Sequence, residues 1–362
     1  MVRRTLPSGR TGARTWALRI ALVLVSAALA LLIAGAVLGR GPAQAVRRTE
    51  GPKVAVHDPL LGWRLRPEAR ERHRTAEYDV AVRVNAQGFR ADRGYAEVPP
   101  PGVTRVVAVG DSFTYGQGVE AHEAFPALLE RSLPAAEVVN LGVAGYGTDQ
   151  QLLMLQSRGL RFRPDVVVLG LYMTNVFRND DPVHGPFGKP VFRRGKDGAL
   201  VLANVPVPAA GAAAVPRETG LVARSRLLGK VWDRLEYRGF GEVWEVTEEI
   251  LERFAAVSRQ AGARLVVVVI PTEGAIQGGS VGRALQAQSL GRLTAILPEG
   301  DHVTAVDTTP ALLAAREKGE LLYFPVDGHL TAAGHRVVAR EIVRAWPQGE
   351  TAAQSASRQP GR

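Results

Sequence analysis

Five short valine-rich runs, separated by stretches of helical periodicity, limit what this 362-residue chain can fold into. They are residues 105–109, 137–140, 165–171, 264–270 and 302–306. Each is short, and most do not alternate polar with apolar residues. Strands buried on both faces of a parallel sheet read this way. The helical stretches expected around them include 124–133, 149–158, 243–261 and a last one over 332–346. Strand and helix in alternation predict a doubly wound α/β domain over 103–346. Hydrophobic residues make up 46 % of the chain, enough for such a core.

Residues 20–38, IALVLVSAALALLIAGAVL, carry no charge and have the length of a helix that crosses a bilayer. Arg3, Arg4, Arg10, Arg14 and Arg19 precede them. Positive charge stays inside, so residues 1–19 are expected in the cytoplasm, 20–38 as a transmembrane anchor, and the main domain outside. A cleaved signal is the rival, with Ala43-Gln44-Ala45 as its site. Against it, the apolar run is long, and Gly39-Arg40-Gly41-Pro42 separates it from that site. The first fifty residues hold eight arginines against one acid, Glu50, so most of the formal charge of +10 sits there. That placement argues against a nucleic-acid partner. The chain has no cysteine, which excludes disulfides, thiolate metal sites and a cysteine nucleophile.

Residues 39–57 read as a linker. Residues 58–102 read as a small β-rich lead-in, carried by the alternation Tyr78-Asp79-Val80-Ala81-Val82-Arg83-Val84 and closed by Pro99-Pro100-Pro101-Gly102. Residues 181–240 interrupt the α/β alternation. They hold a hairpin pattern turning at Gly195-Lys196-Asp197-Gly198, an Ala/Gly/Pro stretch at 209–215 and helical periodicity at 221–235. A lid over the sheet edge and a decoration with no catalytic part are both open. Residues 347–362 are polar and expected to be disordered. Oligomeric state is not readable.

The run Val106-Val107-Ala108-Val109-Gly110-Asp111-Ser112-Phe113 places a serine directly after a strand. Ligands bind at the carboxyl ends of strands in an open α/β sheet, so Ser112 would face the crevice. A serine hydroxyl needs a base to become a nucleophile; a serine that merely caps the next helix fits the segment equally well. The base is offered by Asp327-Gly328-His329, just before the last helix. There Asp327 can orient the His329 imidazole toward Ser112. A metal held by Asp327, His329 and His335 is the alternative. His335 is expected within the last helix, packed or hydrogen-bonded, and Thr331 as that helix's cap. The glycine-rich loop from Asn140 to Gly147 and the side chain of Asn175 each follow a strand and could donate to a developing oxyanion. Gly278-Gly279-Ser280-Val281-Gly282 matches the G-x-S-x-G spacing, but no strand runs directly into it, so Ser280 is set aside. Tyr115, Phe177 and the 181–240 insertion are candidates to line a pocket.

These segments together resemble the SGNH/GDSL hydrolase family. Gly110-Asp111-Ser112-Phe113 matches its first block, Asn140 to Gly145 the second, Asn175 the third, and Asp327 with His329 the last. The resemblance implies a flavodoxin-like three-layer α/β/α sandwich. It implies a Ser112, His329 and Asp327 triad, with the Ser112 N–H, the Gly145 N–H and the Asn175 amide as oxyanion donors. It implies ester hydrolysis through an acyl-enzyme, with no cofactor and no metal. Val176 stands where the third block usually has aspartate. Asp327 and His329 lie two apart instead of three, as in the family branch that includes extracytoplasmic O-acetyltransferases of polysaccharides. Transfer or removal of acyl groups on cell-surface glycan is therefore an alternative to simple hydrolysis. A catalytically silent envelope-binding protein is a third.

Overall fold

Alternating side chains make antiparallel hairpins of the lead-in. Strand β1 (Ala55–Asp58) pairs with β2 (Gly62–Leu65), and β3 (Arg70–Arg74) with β4 (Asp79–Arg83). On β4, Val80 and Val82 point inward while Asp79 and Arg83 face solvent, the two-residue period of a half-buried strand. Strand β1 opens inside the span expected as linker. The computed structural model describes residues 54–209 and 241–346, together with Trp16, Arg19, Leu22, Val23 and Ser26. The chain divides into a unit of residues 1–49 with 216–240 and a unit of residues 50–215 with 241–362. The lead-in, the sheet and the helices that flank it all lie in the second unit.

After the lead-in, β5 (Thr104–Gly110) runs into the single-turn helix α1 (Ser112–Tyr115). Then follow α2 (Phe125–Ser132), β6 (Ala136–Asn140), α3 (Thr148–Ser157) and β7 (Val166–Tyr172). Two short hairpins come next, β8 (Val183–His184) with β9 (Phe187–Gly188) and β10 (Val191–Arg194) with β11 (Leu200–Ala203). The chain continues through α4 (Gly241–Gln260), β12 (Arg264–Ile270), α5 (Glu273–Ile276) and α6 (Ser280–Ala295). It closes with β13 (Val303–Asp307), α7 (Thr309–Glu317) and α8 (Ala332–Arg344).

The five valine-rich runs form one parallel sheet in the order β13-β12-β7-β5-β6. All five expected strands are present, each within a residue or two. Counted within the sheet, the order is 2-1-3-4-5, the flavodoxin-like arrangement, with its switch point between β5 and β7. Val106, Val166 and Val266 sit on neighbouring strands, as do Val107, Val167 and Val267. One face packs on α2, α7 and α8 through Phe125, Leu129, Leu312, Val338 and Ile342. On the other side α3 packs against α4 and β5, and α4 against β12, burying Leu152, Leu155, Ile250 and Phe254. Each such side chain contributes about 1.5–3 kcal/mol by leaving water.

Thr331 caps α8, its side chain accepting from the Gly334 N–H at 3.3 Å. The expected hairpin at 195–198 is β10–β11. Helices α6 and α7 were not among those expected; α6 carries Gly282 and Gly291 and little apolar periodicity. The described start of the insertion is tied down. The Val207 N–H donates to the Pro59 carbonyl at 2.7 Å, and the wholly buried Lys189 pairs with the wholly buried Asp149 of α3. The anchor over 20–38, the stretches 210–215 and 221–235 and the tail 347–362 lie outside the described residues, apart from Leu22, Val23 and Ser26, whose backbone is helical. Among the described residues no helix is long and apolar enough to cross a membrane.

Candidate active site

Strand β5 ends at Gly110, a position where nothing larger fits. A Cβ at Gly110 or at Gly170, its neighbour on β7, would collide with the Thr114 side chain. That closeness seats α1 on the strand ends, and Ser112 at its start projects at the switch point. Asp111 caps the turn: its Oδ1 accepts from the Phe113 N–H at 2.9 Å, and its Oδ2 accepts from Arg178 Nη1 at 3.0 Å. Asp111 is fully buried, and burial pushes its carboxyl up against the pull of Arg178.

Ser112 Oγ lies 2.8 Å from His329 Nε2. His329 Nδ1 is hydrogen-bonded to Asp327 Oδ1. A hydroxyl, an imidazole and a carboxylate in series can pass the serine proton to the ring while the carboxylate holds the tautomer and the charge that forms. The His329 ring leans on Phe113, with centroids 5.0 Å apart, and Phe113 stacks on Tyr172 at 4.1 Å. Asp327 takes a second donor, the Tyr78 hydroxyl, at 3.0 Å on Oδ2. Burial alone would raise the Asp327 carboxyl. The bond and charge of His329 and the Tyr78 bond outweigh it and hold the group below the ordinary carboxylate range.

The loop after β6 is laced to β5: the Leu141 N–H donates to Ala108 and the Val143 N–H to Gly110. Asn140 bridges inward, accepting from the Gly142 N–H and donating to the Thr114 carbonyl, both at 2.9 Å. Gly145 has φ +87°, a conformation that strains any side chain, and a Cβ there would meet the His184 ring at 2.8 Å. Neither the Ser112 N–H nor the Gly145 N–H donates to a backbone carbonyl among the described residues.

Asn175 sits in a 3₁₀ turn, Met173–Arg178, after β7 and is fully buried. Its Oδ1 accepts from Arg178 Nη1 at 3.0 Å. Arginine has no acceptor, so the amide orientation follows from chemistry and Nδ2 faces the other way. That Nδ2 has no partner among the described residues. A buried donor without an acceptor costs stability unless something fills the position when the site works.

Several residues at the site carry no motif. Arg178 joins Asp111, Asn175 and the Tyr146 carbonyl, and an arginine three positions after Asn175 was its only signal. Trp63 Nε1 donates to the Ala144 carbonyl at 3.1 Å, while the Tyr146 hydroxyl donates to the Trp63 carbonyl. His184 and Phe187 from the β8–β9 hairpin stack on Trp63, so part of the insertion flanks Gly145. Burial, then Arg178, pushes His184 down to about 4, leaving it neutral. Tyr115, expected in the pocket wall, is instead buried beneath Arg90, whose guanidinium lies 4.6 Å over the ring. Arg90 also holds the Tyr115 and Gly116 carbonyls, so the carboxyl end of α1 and its aromatic ring are packed against the lead-in and not in the crevice. Phe177 packs edge-on against Trp244 of α4.

Ser280 opens α6 well past the end of β12, with Pro271 and α5 between them, so the strand-to-serine turn is missing there. His335 lies on the inner face of α8, where its Nδ1 accepts from the Phe125 N–H at 3.3 Å. It is thus engaged away from Asp327 and His329. Burial, then the charges of Arg90 and His329, drives His335 down to about 3. The unfolded chain takes up this proton near pH 6.5; the folded chain refuses it until about pH 3. Stability from this residue is therefore complete above pH 6.5 and falls on acidification through that window. His335→Gln keeps an acceptor and removes the titration. Between pH 7 and pH 5 the wild type should lose about 2 kcal/mol more unfolding free energy than the variant, measured with urea. Equal losses would mean that His335 is protonated in the fold.

The model of the GDSL-like lipase/acylhydrolase family matches residues 108–337, which run from the end of β5 through the rest of the parallel sheet and include the three side chains in series. No curated protein sequence matches the chain. Among solved structures, one similar chain is a lipolytic protein of the G-D-S-L family from Veillonella parvula, 11 % identical, covering 67 % of this chain and 98 % of its own, with a TM-score of 0.39. Another is LAE5, an alpha/beta hydrolase from the metagenome of Lake Arreo, 17 % identical, covering 68 % and 96 %, at 0.41. A third is a catalytic mutant of Axe2, an acetylxylan esterase from Geobacillus stearothermophilus, 13 % identical, covering 70 % and 100 %, at 0.42. With more than half its length matched by the family model, the chain belongs to the GDSL-like lipase/acylhydrolase family.

Proposed function

We propose that the protein is a serine esterase held outside the cytoplasm by residues 20–38. The observation that carries the reading is the unbroken series from Ser112 Oγ through His329 to Asp327. In this reading His329 removes the Ser112 proton as the oxygen attacks an ester carbonyl. The Ser112 N–H, the Gly145 N–H and Asn175 Nδ2 receive the oxyanion. The tetrahedral species collapses, and the alcohol leaves with the proton from His329. Water, deprotonated by the same ring, then frees the acid and restores Ser112. The unpartnered Asn175 amide supports the oxyanion role. The uncharged run over 20–38 behind five arginines supports the location.

Acyl transfer to a sugar hydroxyl is the second reading, favoured by the two-residue spacing of Asp327 and His329. Both readings share the acyl-enzyme and differ in what attacks it. One experiment tests activity and location together: a charged, membrane-impermeant chromogenic acetate ester given to intact cells that carry the full-length chain. Hydrolysis by intact cells, absent with Ser112→Ala, is the expected outcome. Hydrolysis that appears only after lysis would put the domain inside, and none in either sample would remove the esterase reading. Adding an oligosaccharide acceptor separates the two readings: acylated sugar at the expense of free acid marks transfer.

A further inference from the structure

The β-rich lead-in touches all three parts of the site. Trp63 of β2 holds the Gly145 loop. Arg90, buried after β4, donates to the carbonyls of Tyr115 and Gly116 at the end of the nucleophile's helix and to Val119 at 2.6 Å. The tightest engagement is with the acid. The Glu77 carboxylate accepts from two successive backbone N–H groups, Val326 at 2.9 Å and Asp327 at 2.7 Å. The next residue, Tyr78, donates its hydroxyl to Asp327 Oδ2 at 3.0 Å. One dipeptide thus fixes both the backbone and the side chain of a residue 249 positions after Tyr78.

We propose that Tyr78, supported by Glu77, is the positioning residue of Asp327: its O–H occupies Oδ2 so that Oδ1 is left to the His329 ring. The proposal rests on the reading of Ser112, His329 and Asp327 as a catalytic triad. The Tyr78 ring is set for this task by its neighbours, Phe324 at 5.1 Å and His73 at 5.1 Å, and it is buried. Burial first, then the Asp327 charge, keeps the hydroxyl protonated far above its ordinary range, so it stays a donor at any working pH. The ionisable groups around Asp327 are His329 on its own loop and, from the lead-in, Tyr78, Glu77 and His73, with Arg90 beyond His73 and Asp111 on the far side of His329. Burial pushes His73 down, so it adds no steady positive charge to compete with Tyr78. The Tyr78 hydroxyl shares the carboxylate's negative charge, and removing it leaves more of that charge to hold a proton on the imidazole. The Asp327 and His329 pair titrates as a unit, so the change appears in the pair's acid limb.

The test follows the rate of inactivation by a fluorophosphonate against pH, using the full-length chain in detergent, for wild type, Tyr78→Phe and Glu77→Gln. Tyr78→Phe keeps the ring and its packing and removes only the O–H. Glu77→Gln keeps one acceptor oxygen of two. The expected result is inactivation slower by about tenfold in Tyr78→Phe, with any fall in melting temperature no larger than the loss of one hydrogen bond brings. The acid limb should move up, and Glu77→Gln should change in the same directions by less. A purely structural role would lower the melting temperature and leave the acid limb in place. Wild type that reacts while Tyr78→Phe reacts within twofold on the same limb would overturn the proposal alone. Wild type that does not react would overturn the triad reading and the proposal with it.

Discussion

Ser112→Ala in the full-length chain is expected to lose covalent labelling by a fluorophosphonate and to lower ester turnover by about 10⁴–10⁶-fold. The size follows from what remains. Without Oγ there is no acyl-enzyme, and His329 and the oxyanion donors can act only on water that has no fixed place. Ser112 is 4 % exposed and sits on a one-turn helix whose cap and glycine neighbours are unaffected by losing one oxygen, so the fold should survive and the melting temperature should stay near the wild type's. Ser280→Ala serves as the control and should label and turn over like wild type. Labelling lost in Ser280→Ala but kept in Ser112→Ala would move the nucleophile to the start of α6 and would sink the assignment.

The five strands were legible because burial on both faces writes itself into short valine runs, and such a signal is local. The blocks around Ser112, Asn140, Asn175 and Asp327 were legible because chemistry confines residue types at the carboxyl ends of strands. Helix α6 was not. Its glycines and scattered small residues leave no apolar stripe from which a helix could be read. The contribution of the lead-in was equally hidden. Tyr78 to Asp327 spans 249 positions and Trp63 to Ala144 spans 81, and a hydrogen bond between such partners leaves no spacing to read. Tyr115 differs for another reason. Its closeness to Ser112 in sequence suggests closeness to the crevice, but its ring is buried toward the lead-in, where the Arg90 guanidinium covers it. Residue identity told which chemistry the site holds; it could not tell which neighbours keep the parts aligned.

Asn175→Ala should lower kcat by about 10²–10³-fold, leave KM within a small factor of wild type, and slow fluorophosphonate labelling in parallel. An oxyanion donor bonds a charge that exists only in the transition state, so its loss falls on kcat. Stability should move little. The variant loses the bond from Arg178 to Oδ1, but it also removes a buried N–H₂ that has no partner in the resting protein. The two effects are each about 1–3 kcal/mol and opposite in sign. Activity and stability are thereby separated, which few buried polar residues permit. A buried asparagine kept only for packing or for holding Arg178 would behave in the opposite way: the unfolding free energy would drop and turnover would follow only through the unfolded fraction. A folded Asn175→Ala enzyme with wild-type kcat would mean that Nδ2 does not face the oxyanion, and the two backbone donors alone would have to carry it.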